Sequence, residues 1–169
     1  MYRNGDYVMK MNTGLCRIVD ISCPEGMGID HGKKYYHMVP LEDVNASIYV
    51  PVDREKVSLR RAMNREEAWE IIRDISGIEA VKIDNEKLRE QEYKKVLSSG
   101  NPRALVSIIK TMYLRRQKRI EQGKKTTAMD ERYFKIAENY LYSELALALG
   151  KRKEEMRQLI SDTIKQAEK

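Results

Sequence analysis

The sequence predicts an α+β protein: a small antiparallel β-barrel over residues 1–61, then an all-α domain of four to five helices over residues 62–169. Three observations predict it. Up to residue 61 the apolar residues come in short β-branched and aromatic runs separated by Gly, Pro, Asn and Asp, the punctuation of strands and turns. From residue 62 they recur three and four positions apart, the spacing of one helix face. The 169 residues, 41% hydrophobic and 34% charged, supply core for one ordinary domain or two small ones beneath a heavily charged surface.

In chain order, the turn-prone Asn4-Gly5-Asp6 delivers a first strand, Tyr7-Val8-Met9-Lys10-Met11. Gly14 opens a second, Leu15 to Ile21, which Cys23-Pro24-Glu25-Gly26-Met27-Gly28 breaks. Tyr35 to Val39 and Ile48-Tyr49-Val50 are the next two, and Val57-Ser58-Leu59 is a short fifth. Pro40 and Pro51 cannot donate to a ladder, so they belong at strand ends or edges.

Asn64 is a helix cap, and Glu67 three residues on completes a capping box. Ala68, Ile71, Ile72 and Ile75 then mark one face until Gly77. A second helix runs from Asn85 to Leu97, stopped by Ser98-Ser99-Gly100. The third has the clearest start: Asn101 as cap, Pro102 at the first helical position, then a stripe of Leu105, Ile108, Ile109, Met112 and Tyr113. After the loop Gly123 to Thr127, a fourth helix from Met129 to Leu149 is roughly 30 Å long at about 1.5 Å per residue. Gly150 closes it, and a fifth helix carries Met156, Leu159, Ile160 and Ile164.

Charge is unevenly spread. Of 32 basic and 26 acidic residues, residues 1–61 hold nine and eight, leaving 23 and 18 for the remainder. Residues 103–125 carry eight cations (Arg103, Lys110, Arg115, Arg116, Lys118, Arg119, Lys124, Lys125) against Glu121 alone. That local excess exceeds the net +6 of the whole chain, and such a field concentrates phosphate backbones. On a count of about 100° per residue, Arg103, Lys110 and Lys118 share the face opposite the stripe with Ser107, Thr111 and Leu114. Lys124 and Lys125 extend the cations into the loop, whereas Arg116 falls beneath the stripe near its last turn, where either the packing has ended or the guanidinium meets a buried acid. Phosphate contacts of this kind position a protein without reading sequence.

Patterns of catalysis are absent. Gly123-Lys124-Lys125-Thr126 ends like a phosphate-binding loop, but Lys118 stands where that loop needs its first glycine, and a helix precedes it. Gly26, Gly28 and Gly32 miss the dinucleotide spacing, since His31 occupies the third glycine's place. Cys16, Cys23, His31 and His37 are a poor zinc set because the six-residue gap between the cysteines exceeds the usual two to four. No enzyme, cofactor, metal or small-molecule substrate is expected. Nor is a membrane partner, because no run of 18 apolar residues occurs. Two cysteines without a secretory h-region fit a reducing cytoplasm.

The whole pattern resembles the CarD family of bacterial transcription regulators. The matching residues are Gly5-Asp6-Tyr7-Val8, Gly14, Ile48-Tyr49-Val50-Pro51-Val52, and Tyr93 with Leu97-Ser98-Ser99-Gly100-Asn101-Pro102. They continue with Ile108-Ile109-Lys110 to Arg115-Arg116 and, most specific, Ser143-Glu144-Leu145-Ala146-Leu147-Ala148-Leu149. The resemblance covers almost the full chain in order.

It implies a Tudor-like N-terminal barrel, similar to the polymerase-interacting domain of the transcription-repair coupling factor. That barrel adds to the β-subunit lobe of RNA polymerase by strand pairing, through the residues matching Ile48, Tyr49, Val50 and Pro51. The helical domain is expected on promoter DNA, stabilising the open complex through backbone contacts and a tryptophan wedged into the minor groove. Glu86 stands at the tryptophan's place, and glutamate neither stacks nor tolerates phosphate; the lone Trp69 lies in the preceding helix. Lys87 and Arg89 add cations beside it, Arg89 at a basic position of the family. The expected DNA contacts are therefore Lys87, Arg89, Arg103, Lys110, Lys118, Lys124 and Lys125. The protein is read as a non-catalytic regulator in the cytoplasm, associated with the nucleoid. The rival reading is a general RNA-binding module that stacks bases on Tyr35 and Tyr36.

Overall fold

In the computed structural model, which describes residues 1–26 and 32–167, strand β1 (Tyr7–Lys10) turns directly into β2 (Gly14–Ser22). Lys10 pairs with Gly14, so Met11, Asn12 and Thr13 must reverse the chain alone. They manage it with two left-handed positions, Asn12 at φ 62° and Gly14 at φ 105°. Both residue types tolerate that region, which would strain a β-branched side chain. β3 (Tyr35–Pro40), β4 (Ile48–Pro51) and β5 (Leu59–Arg61) complete one antiparallel sheet in the order β4-β3-β2-β1-β5. This is a half-barrel whose ladder ends at β4 and β5. A register shift between Ile18 and Asp20 bends β2. Both prolines occupy the last position of their strands, where no ladder donor is required.

The sheet covers a small core of Val8, Cys16, Ile18, Tyr36, Met38, Val50 and Leu59. The expected strand over Val57-Ser58-Leu59 is corrected. Glu55–Ser58 is a helical turn, α1, and β5 begins at Leu59. Its cause is Tyr36, fully buried, whose hydroxyl donates to the Glu55 carboxylate while accepting from Tyr2 N–H at 3.1 Å. Glu55 is thereby fixed at the start of a turn, and Val57 is left 71% exposed. The chain divides into two compact units, Met1–Ala62 and Met63–Lys169.

In the second unit Asn64 and Glu67 form the capping box reciprocally, at 2.9 and 2.8 Å, and start α2 (Arg65–Asp74). A 3-10 turn, Ile75–Gly77, ends it. Asn85 caps a second 3-10 turn, Glu86–Leu88, rather than an α-helix; α3 follows as Arg89–Ser99. Gly100 stops α3 in the left-handed region, and Asn101 with Pro102 starts α4 (Pro102–Glu121). Thr127 caps α5 (Ala128–Leu149), and α6 is Lys153–Ala167.

α5 is the centre of this unit. From Leu141 to Ala146 every residue is buried, as a helix enclosed on all sides requires. The stripes of α2, α3, α4 and α6 pack on it through Ile72, Tyr93, Ile108, Leu105, Met156 and Ile160, with Trp69 half-buried at the rim. Among the described residues no helix is long and apolar enough to cross a membrane.

Candidate functional site

Strand β4 is one end of the sheet, with β3 as its one ladder partner among the described residues. Its side chains alternate. Val50 is 4% exposed in the core and Ile48 packs against the same cluster, whereas Tyr49 lies over His37 of β3 with ring centroids 4.7 Å apart and planes within 12°. His37 is itself held by Ser47, Nε2 to Oγ at 3.1 Å. Of the four residues singled out in β4, Val50 therefore offers a partner its main chain but not its side chain. Tyr49 offers a braced aromatic surface.

The cations sort differently from the helical count. Lys110 is 5% exposed, and its Nζ donates to Ile78 O at 2.7 Å. It is a core lysine, which corrects its assignment to the DNA face. The reason is the connector between α2 and α3, which runs along that side of α4. Ser107 Oγ donates to Glu79 O, and Val81 N–H donates to Thr111 Oγ1 at 2.7 Å. The polar stripe of Ser107, Lys110 and Thr111 binds backbone that has no helix of its own to satisfy it.

Arg103 is paired with Asp74 at 2.6 Å, and Arg116 Nη2 donates to both carboxylate oxygens of Glu131 at 2.8 and 3.0 Å while its guanidinium lies over Phe134 at 4.7 Å. Of the two alternatives for Arg116, the acid is found: its partner is Glu131. The hydroxyl of Thr126 and then Arg116 hold the Glu131 carboxyl below the usual carboxylate range. Of the eight cations in residues 103–125, Lys118, Lys124 and Lys125 are exposed and outside the ion pairs described. Arg119 joins them, its Nε donating to Lys125 O at 2.7 Å and so tying the loop to the end of α4. The positive field is thus focused on the last turn of α4 and the loop after it. Lys87 is exposed on the 3-10 turn before α3.

One cluster escaped the sequence reading. Arg89, only 12% exposed in its side chain, and Arg115, at 23%, converge on two acids. Asp130 is buried between them, with Arg89 Nε 3.1 Å from Oδ1 and Arg115 Nε 3.3 Å from Oδ2. Tyr93 also donates its hydroxyl to Oδ1, at 2.9 Å. Glu86 closes the outer side, taking a two-pronged contact from Arg115 at 2.9 and 3.2 Å and another from Arg89. These guanidinium contacts, Arg115 first, hold the Glu86 carboxyl below its ordinary range. Arg89 is therefore half-hidden in an ion network in the free protein, where Glu86 and Asp130 occupy its guanidinium; the second of these acids is 41 residues further along the chain.

The remaining expectations fall as follows. Tyr36 is fully buried, so it cannot serve as a base-stacking platform. Cys16 is buried, and burial pushes its thiol up to about 11; Cys23 is exposed. His31 lies outside the described residues, and among those described no cluster of His, Cys, Asp and Glu could hold a metal ion.

Comparison with known proteins gives two family matches. One, described as CarD-like/TRCF RID domain, spans residues 2–63; the other, described as CarD, C-terminal domain, spans residues 67–161. No curated protein matches the chain.

Proposed function

The chain belongs to the CarD family, and from that premise we propose a non-catalytic transcription regulator. It holds the RNA polymerase β subunit through the edge of β4 and the backbone of duplex promoter DNA through the cations at the end of α4, and thereby modulates the open complex. Edge augmentation suits a terminal strand whose outward residue, Tyr49, is stacked in place. The observation that carries the DNA half is the exposed set Lys118, Lys124 and Lys125, outside every ion pair among the described residues. With Arg119 these are four cations on one helix end, for which log affinity falls against log salt with a slope of roughly −4. Glu86 at the wedge position leaves open-complex stabilisation to backbone contacts and polymerase binding.

The test uses the full chain. Tyr49→Asp is expected to abolish co-purification with core RNA polymerase without lowering thermal stability by more than about 1 kcal/mol, since Tyr49 lies on the face away from the core. Lys124→Gln with Lys125→Gln is expected to keep polymerase binding and to flatten the salt slope on a promoter duplex by about two. A parent protein that ignores polymerase at low ionic strength overturns the proposal.

A further inference from the structure

Two guanidinium groups meeting on one surface carboxylate have the geometry with which proteins hold phosphate, because the planar fork fits two oxygens of either anion. Around Glu86 the exposure runs outward: Asp130 is 8% exposed in its side chain, Arg89 12%, Arg115 23% and Glu86 60%. The inner acid is built into the fold, with Tyr93 and both arginines around it. The outer acid sits on a three-residue 3-10 turn and is paired with both arginines. A shallow cavity of about 230 Å³, lined by Val81, Ile83, Thr111 and Leu114 among others, borders Arg115.

We propose that Arg89 and Arg115 form a clamp for a nucleic-acid phosphodiester, that Glu86 occupies this clamp in the free protein, and that a duplex phosphate displaces it on binding. The inference rests on the DNA half of the proposed function and adds to it a site with a resident competitor. Two arginines against two acids make the cluster neutral in the free protein, so it adds nothing to the field that draws DNA in. When the Glu86 side chain turns away, the cluster is one positive charge in excess, which matches a single phosphodiester. Asp130 keeps the guanidinium groups in place meanwhile, so the clamp is not remade at each exchange.

The experiment measures affinity for a promoter duplex over 0.1–1 M salt with the full chain and its variants. Glu86→Gln lies on an exposed turn and removes the competing charge alone. It is expected to steepen the log–log salt slope by ~0.9, an advantage that grows about eight-fold in affinity as salt falls from 1 M to 0.1 M. Adding Arg115→Lys keeps a charge beside buried Asp130 but loses the fork, and is expected to remove most of that gain. If Glu86→Gln leaves slope and affinity unchanged while Lys124→Gln with Lys125→Gln weakens binding, the clamp is wrong and the DNA reading stands. If the parent does not bind duplex but Glu86→Gln does, the clamp is supported and the α4 cations are not the main contact. If neither binds, clamp and DNA reading fall together.

Discussion

Glu138 sits on the buried side of α5 at 7% exposure, with Arg157 Nε 3.3 Å from its Oε2 and the Tyr142 hydroxyl donating to it. Burial raises its carboxyl above the ordinary range, and Arg157, itself 57% exposed, does not offset the desolvation. The folded protein therefore holds this proton more tightly than the unfolded chain. Stability contributed here is present at low pH and is lost as pH rises from the usual carboxylate range through the raised folded value. Glu138→Gln keeps an acceptor for Tyr142 and removes the charge. Its urea stability relative to the parent is expected to improve between pH 4 and pH 7; a difference independent of pH contradicts the desolvated carboxylate. The same residue-scale physics explains why single positions were the hardest to read. Beyond its i,i+3 contact with Arg89, Glu86 meets Arg115 from 29 residues away, and Lys110 donates to a carbonyl 32 residues away. No local periodicity encodes a distance of that kind.

Elements were far more legible, because caps and stops are settled within three or four residues. Asn64 with Glu67, Asn101 with Pro102, Thr127, Gly100 and Gly150 each name a boundary of a helix on their own. What the pattern could not reveal was a connector lying on the polar face of α4, since residues 78–85 carry neither period. Thus a stripe that looks solvated by its residue types is covered by backbone. A related long-range cap lies at the start of this unit. Glu144, fully buried in α5, accepts from Met63 N–H at 2.7 Å through Oε2. The Ser143-Glu144-Leu145 segment that carries the family resemblance thus has a structural reason: it anchors the residue before the α2 capping box. Glu144→Ala leaves a buried donor unmet and opens a cavity, and is expected to lower unfolding free energy by roughly 2–4 kcal/mol. Glu144→Gln retains the acceptor oxygen and should lose about 1 kcal/mol in the same calorimetric comparison. Equal losses in the two variants would show that the charge, not the accepted hydrogen bond, is what α5 contributes.

At the scale of the whole chain, neither unit is equipped to act strongly alone. β4 offers four residues of edge, and the end of α4 offers four cations whose contacts are screened at physiological salt. Joining them by continuous chain changes the arithmetic. In the proposed complex, with β4 seated on polymerase, the α4 cations would meet promoter DNA at an effective concentration on the order of millimolar, far above any free protein concentration in an assay. A loss of the β4 contact is then a loss of tethering, which mass action can restore, whereas a loss of the cations is not restored by adding protein once polymerase is saturated. Tyr49→Asp is accordingly expected to erase the change in open-complex lifetime at 1 µM and to regain part of it at about a hundred-fold higher concentration. Lys124→Gln with Lys125→Gln should leave a reduced effect that no concentration raises to the parental level. Titrating both variants against one promoter separates these behaviours. If the two titrations have the same shape, the units do not work through linkage, and the regulator acts by a single contact.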